Sequence, residues 1–157
     1  MCEYCGCQAL DAIAELTREH DEVVSLISRV RTANAAGDLR EMAELARQIT
    51  AVLGPHTTVE EQGLFPPLTD EFPDHVANLE AEHRQIEAVL AEAADGPPTD
   101  TTWPARFLDT LRQLREHILA EQDGVFPAAL TRLATEDWAA VDAVRARVRP
   151  VGAAPAD

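Results

Sequence analysis

The sequence predicts an all-α protein: an up-down-up-down four-helix bundle with an extra short C-terminal helix. Three observations carry this expectation. Hydrophobic residues make up 46% of the 157 and aromatics only 4%, with Ala, Leu, Glu and Arg prominent, a mixture that favours helix over sheet. Apolar residues recur three and four positions apart, and no run alternates with period two for long enough to make a strand. The chain also carries one pattern twice, as two helical hairpins would that bury each other's apolar faces.

The elements follow in order. Residues 1–8 read as a Cys-rich tail, and residues 9–134 as the bundle. In the first helix, from Ala9 to about Ala35, Leu10, Ile13, Leu16, Val23, Ile27 and Val30 form one stripe. Gly37 with Asp38 ends it and starts the second, which carries Leu39, Met42, Leu45, Ile49 and Leu53. Gly54-Pro55 predicts a kink or restart, because proline removes a helical hydrogen bond and crowds the preceding turn. Helix is expected to resume through Glu60 and end near Gly63, before Pro66-Pro67. The third helix begins around Pro73-Asp74 and runs to about Ala94. Asp95-Gly-Pro-Pro-Thr-Asp100 is a loop, and the fourth helix extends from Thr102 to Gln122. A short segment, Phe126 to Leu133, precedes a final helix over 135–149 that Thr135 is expected to cap. Residues 150–157 read as a frayed tail.

The duplicated pattern is His56-Thr-Thr-Val-Glu60-Glu-Gln-Gly63-Leu-Phe65-Pro66 and His117-Ile-Leu-Ala-Glu121-Gln-Asp-Gly124-Val-Phe126-Pro127. Upstream lie Leu16-x-x-Glu19-His20 and Leu79-x-x-Glu82-His83. Residues four apart share a helix face, so His56 with Glu60, and His117 with Glu121, each set an imidazole beside a carboxylate. His20 and His83 fall among core-stripe residues. Burying four histidines and two glutamates without partners would cost several kcal/mol. A metal centre removes that cost, and nitrogen with oxygen donors suits iron, manganese or zinc better than calcium or magnesium. A lone His-x-x-x-Glu in an acidic helical protein is usually a surface pair. Here four of the five histidines fall on the pattern, which makes coincidence the weaker account.

With those residues in place, the chain resembles the hemerythrin-like family of HHE cation-binding domains over roughly residues 10 to 130. The resemblance implies a four-helix bundle around a non-haem diiron centre. It implies His20 and His56 on one iron and His83 and His117 on the other. Glu60 and Glu121 would bridge them, together with an oxo or hydroxo group. Oxygen-carrying members have a further histidine where this chain has Leu79, and an aspartate five residues after the last histidine, where it has Gln122. Losing that histidine implies a more open iron, or a substitute ligand such as Glu82, Glu61 or water. For Glu61, Glu82 and Glu87, solvated helix faces are the plainer expectation. His75 is turned about 80° from His83 and reads as a surface residue.

The expected function is chemistry with, or binding of, small oxidants (O2, hydrogen peroxide or NO) in oxidative or nitrosative stress, with catalase-like or other peroxide- or NO-reactive turnover as the enzymatic form. The alternatives are an iron-, oxygen- or redox-sensing module and simple O2 or iron storage. A ferritin-like ferroxidase wants Glu-x-x-His in two helices; only Glu80-x-x-His83 fits, since Thr17 stands before His20. No Gly-rich phosphate loop and no serine with a paired base is present. A net charge of −15 opposes binding to nucleic acid or an anionic membrane surface. The N-terminus lacks the basic and apolar regions of a signal peptide, and no apolar run approaches 18 residues, so a soluble cytoplasmic protein is expected. Cys2, Cys5 and Cys7 are one thiolate short of a closed zinc site. They read either as exposed thiols, as a second thiol or metal site, or as a contact to a partner protein or a second copy.

Overall fold

The computed structural model describes residues 5–149, and every regular element among them is helical. α1 (Cys5–Ala35) and α2 (Leu39–Val59) lead into a π-helical turn (Glu60–Leu64) and a short α3 (Pro66–Thr69). α4 (Pro73–Ala91) and α5 (Trp103–Ala120) lead into a second π turn (Glu121–Val125), then α6 (Phe126–Arg132) and α7 (Thr135–Val148). Among the described residues no helix is long and apolar enough to cross a membrane.

Local chemistry explains most of the boundaries. Gly37 takes φ 67°, which closes α1 with Asp38 N–H donating to Ala33 O at 2.9 Å. The Asp38 carboxylate then caps α2 by accepting from the Glu41 N–H at 3.0 Å. Three boundaries differ from the sequence expectation. α1 begins at Cys5, so Cys7 is an exposed helical residue rather than part of a tail; Cys2 and the Cys5 side chain lie outside the described residues. α2 passes through Pro55 without a restart, because Leu53, His56 and Val59 are buried on either side and hold the helix across the missing bond. Thr135 is the first residue of α7, not its cap; the Asp137 carboxylate accepts from the Ala134 N–H at 2.8 Å instead.

The helix changes at the π turn, close to the end expected near Gly63. The Phe65 N–H bonds Glu60 O at 2.8 Å, five residues back, and the Phe126 N–H bonds Glu121 O in the same way. Pro66 and Pro127 follow with no N–H to give, so each copy spends one extra residue before helix resumes.

Two apolar clusters make the core. One holds Val23, Ile27, Leu45, Ile49, Phe107 and Leu114; the other holds Leu16, Val59, Phe65, Leu79, Val125 and Trp138. On each of the four long helices a buried histidine stands between a residue of one cluster and a residue of the other. His20 lies between Leu16 and Val23, His56 between Leu53 and Val59, His83 between Leu79 and Ile86, and His117 between Leu114 and Val125. A polar layer therefore divides the core. α7 closes the second cluster by packing on the first π turn, α1 and α2.

Candidate metal centre

The six residues singled out by the repeat meet in that layer. His20, His56, His83 and His117 are 1–5% exposed, and Glu60 and Glu121 are 0% and 1% exposed. The two carboxylates stitch the repeats together. Glu60 Oε1 lies 3.1 Å from Nε2 of His56 on its own helix, and Oε2 lies 3.3 Å from Nε2 of His83 in the other repeat. Glu121 Oε1 lies 3.2 Å from Nε2 of both His117 and His20.

These contacts have the lengths of ion pairs without hydrogen-bond angles. Both oxygens of Glu60 and of Glu121, with His56 Nε2 and both nitrogens of His20, are buried and have no hydrogen-bond partner. Orphaned buried polar atoms are costly, and carboxylate oxygens the more so. Donors about 2.1 Å from a shared cation and at right angles lie about 3.0 Å apart, close to the spacings here. Two such groups of donors occur, each within 4.8 Å of one another: His20, His56, Glu60 and Glu121, and Glu60, His83, His117 and Glu121. The two share both carboxylates. The donor set thus fits metal cations, and the remaining cavity among the histidines is about 10 Å³, roughly the space of one water.

Around this layer stands a second row that the sequence reading missed. Glu19 Oε1 lies 3.2 Å from His56 Nδ1, and Glu82 Oε2 lies 2.5 Å from His117 Nδ1. Each is the residue before the first histidine of its repeat, so the matched Glu-His pairs carried the signal. Glu61 Oε1 lies 2.8 Å from His83 Nδ1 and also takes Arg84. A carboxylate on Nδ1 fixes the ring and leaves Nε2 for the metal side. Glu61 and Glu82 thus sit on the far side of their imidazoles, and Glu82, half exposed, combines the expected solvated helix face with this contact. Glu87 pairs with Arg84 at 3.5 Å on the surface, and His75 is exposed, both as expected. Leu79 is buried in the apolar cluster, so nothing replaces the histidine of the carriers at that position.

The repeated phenylalanines also have a place. Phe126 stacks on His20 and Phe65 on His83, with centroids 5.4 and 6.0 Å apart and planes inclined by 10° in both. Each repeat thus covers the first histidine of the other.

Electrostatics confirm that the layer calls for positive charge. Burial alone would lower the imidazolium pKa of His56, but the Glu60 charge and the Glu19 hydrogen bond outweigh it and push the value up to about 10. For His117, burial is likewise overcome, chiefly by Glu121, and its pKa rises to about 9. His83 moves in the same direction through Glu60. Burial works against the Glu60 carboxylate too, yet His56 holds its pKa well below the usual range.

A helical protein whose buried core layer offers two histidine–carboxylate donor groups has the geometry to hold metal cations. Residues 11–129 match the family model of the hemerythrin HHE cation-binding domain, and the chain belongs to that family. Neither the comparison with curated proteins nor that with solved structures gives a match.

Proposed function

We propose that this is a non-haem diiron protein, with one iron among His20, His56, Glu60 and Glu121 and the other among Glu60, His83, His117 and Glu121, which binds or reacts with O2, hydrogen peroxide or NO in defence against oxidative or nitrosative stress. The observation that carries the reading is the sharing of both orphaned carboxylates by two donor groups. The alternation of the two apolar clusters along α1, α2, α4 and α5 supports an up-down-up-down bundle around the pair. When bound, a diiron centre supplies one- and two-electron chemistry toward small oxidants. The chain contributes the rest: Glu60 and Glu121 bring charge that offsets the cations, Glu19, Glu61 and Glu82 orient three imidazoles, and Phe65 and Phe126 keep water off His83 and His20. A space of about 10 Å³ among the donors leaves no room for an organic substrate.

The test is metal content per chain together with the optical spectrum of aerobically purified protein. Two irons with near-ultraviolet charge-transfer bands, both lost in His56→Ala, are the expected result. Peroxide consumption and NO binding faster than those of free iron then mark the reactive role. A single zinc that survives His56→Ala and leaves on Cys5→Ser moves the site to the N-terminus. A sensing role is the second reading, favoured by the polar layer dividing the core; it requires a lower melting temperature without metal than with it.

A further inference from the structure

The two halves of the site have matching inner donors and unlike surroundings. Glu19 and Glu82 are repeat equivalents, each on the Nδ1 of a histidine in the following helix. Arg145 of α7 clamps Glu19 with two bonds, of 2.7 and 3.0 Å, and Arg149 takes Glu15 one turn away at 2.7 Å. Glu19 is 19% exposed as a result. Glu82 is 50% exposed, and its one ion pair among the described residues is with His117. It opens into a cleft of about 410 Å³ between α4 and α5, lined by Gln85, Gln113, Glu116 and His117 itself.

The cause lies in α7, which the duplication does not repeat. It seats on the first π turn because Gly63 has no side chain: a Cβ there would lie 3.0 Å from Val141 Cα. Around the equivalent Gly124 a Cβ would meet nothing within 4 Å.

Building on the dinuclear reading, we propose that α7 makes the two cation positions unequal, locking the His20/His56 position through Arg145 and Glu19 while the α4–α5 cleft leaves the His83/His117 position to exchange with solvent. Arg145 is a positioning residue in this scheme: it acts on the metal through Glu19 and His56.

Full-length protein loaded with two Co²⁺ per chain is mixed with excess chelator, and release is followed in time. Two phases of equal amplitude are expected. Arg145→Gln accelerates only the slow phase, by less than the roughly ten- to hundredfold effect of losing Glu19, the direct partner of His56. Arg145→Lys, which keeps the charge, stays nearer the parent rate. Gly63→Ala, which drives α7 outward, accelerates the same phase, and Gly124→Ala changes neither. Glu82→Gln alters the fast phase alone. A single phase in the parent protein, or Arg145→Gln acting equally on both phases or on neither, overturns the inference. A parent protein that takes up no Co²⁺ overturns the dinuclear reading itself, a separate and distinguishable failure.

Discussion

At the scale of single residues, protons and cations compete for the same atoms. Without metal, the raised pKa values of His56, to about 10, and His117, to about 9, keep both imidazoles charged beside Glu60 and Glu121 at neutral pH. The contribution of a raised histidine pKa is fully present below the unfolded value of about 6.5 and is lost as pH rises through the folded value. For Glu60, whose pKa is depressed, the contribution is present above the unfolded value near 4.5 and is lost as pH falls. Metal-free protein should therefore melt highest between about pH 5 and 6.5, lower below that window, and progressively lower as pH rises toward about 9 to 10, as scanning calorimetry across pH would reveal. Metal must displace those protons. Titrating Zn²⁺ or Co²⁺ into weakly buffered protein at pH 7 should release protons, and affinity should rise with pH. Proton-silent binding would contradict this assignment. Glu61→Gln removes the carboxylate on His83 Nδ1 and should weaken cation affinity about ten- to a hundredfold with the fold intact, measured by competition with a chelating dye.

At the scale of elements, the two π turns are the same device in different surroundings. Their glycines make a matched pair. Gly63→Ala forces a methyl against the backbone of α7 and should destabilise the protein by about 1–3 kcal/mol, the usual cost of overpacking. Gly124→Ala enters open space and should be neutral or stabilising by up to about 1 kcal/mol, through helix propensity and a less flexible unfolded chain. Denaturant midpoints of the two variants separate these outcomes; equal losses would mean that α7 does not rest on Gly63. The elements were largely legible in the sequence, since four apolar stripes of period 3.6 fix where long helices lie. The π turns were not. Repeated Gly-x-Phe-Pro marks a break after each Glu, but a hydrogen bond reaching five residues back leaves no periodic signal that separates a π turn from an ordinary helix end.

At the scale of the whole molecule, the polar layer between two apolar clusters is the weak seam of the metal-free protein. It leaves seven buried side-chain atoms without hydrogen-bond partners among the described residues, and each such atom costs about 1–3 kcal/mol. A cation bound only by the folded state adds about 2.7 kcal/mol at a free concentration of 100 Kd. Loading should thus raise the melting temperature in a concentration-dependent way, and chelator should reverse it. Hydrogen exchange should slow most at the amides flanking His20, His56, His83 and His117. Identical melting curves with and without metal would show that the layer is satisfied by other means.

The sequence by itself determined the helical class, the duplication and the six inner residues. Hydrophobic periodicity and repeated chemistry at fixed spacing are local signals that survive in one dimension. It also placed His75 on the surface from its angle to His83. Only the tertiary structure decided which carboxylate faces which histidine. Glu60 spans to His83 and Glu121 to His20, across repeats, because both helical hairpins turn their polar layer toward the same interior plane. The roles of Glu19, Glu61 and Glu82, the stacking of Phe65 and Phe126, and the clamp of Arg145 on Glu19 were decided there as well. Each depends on contact between residues 22 to 126 positions apart, or between aromatic rings of different repeats, and no helical period encodes such contacts.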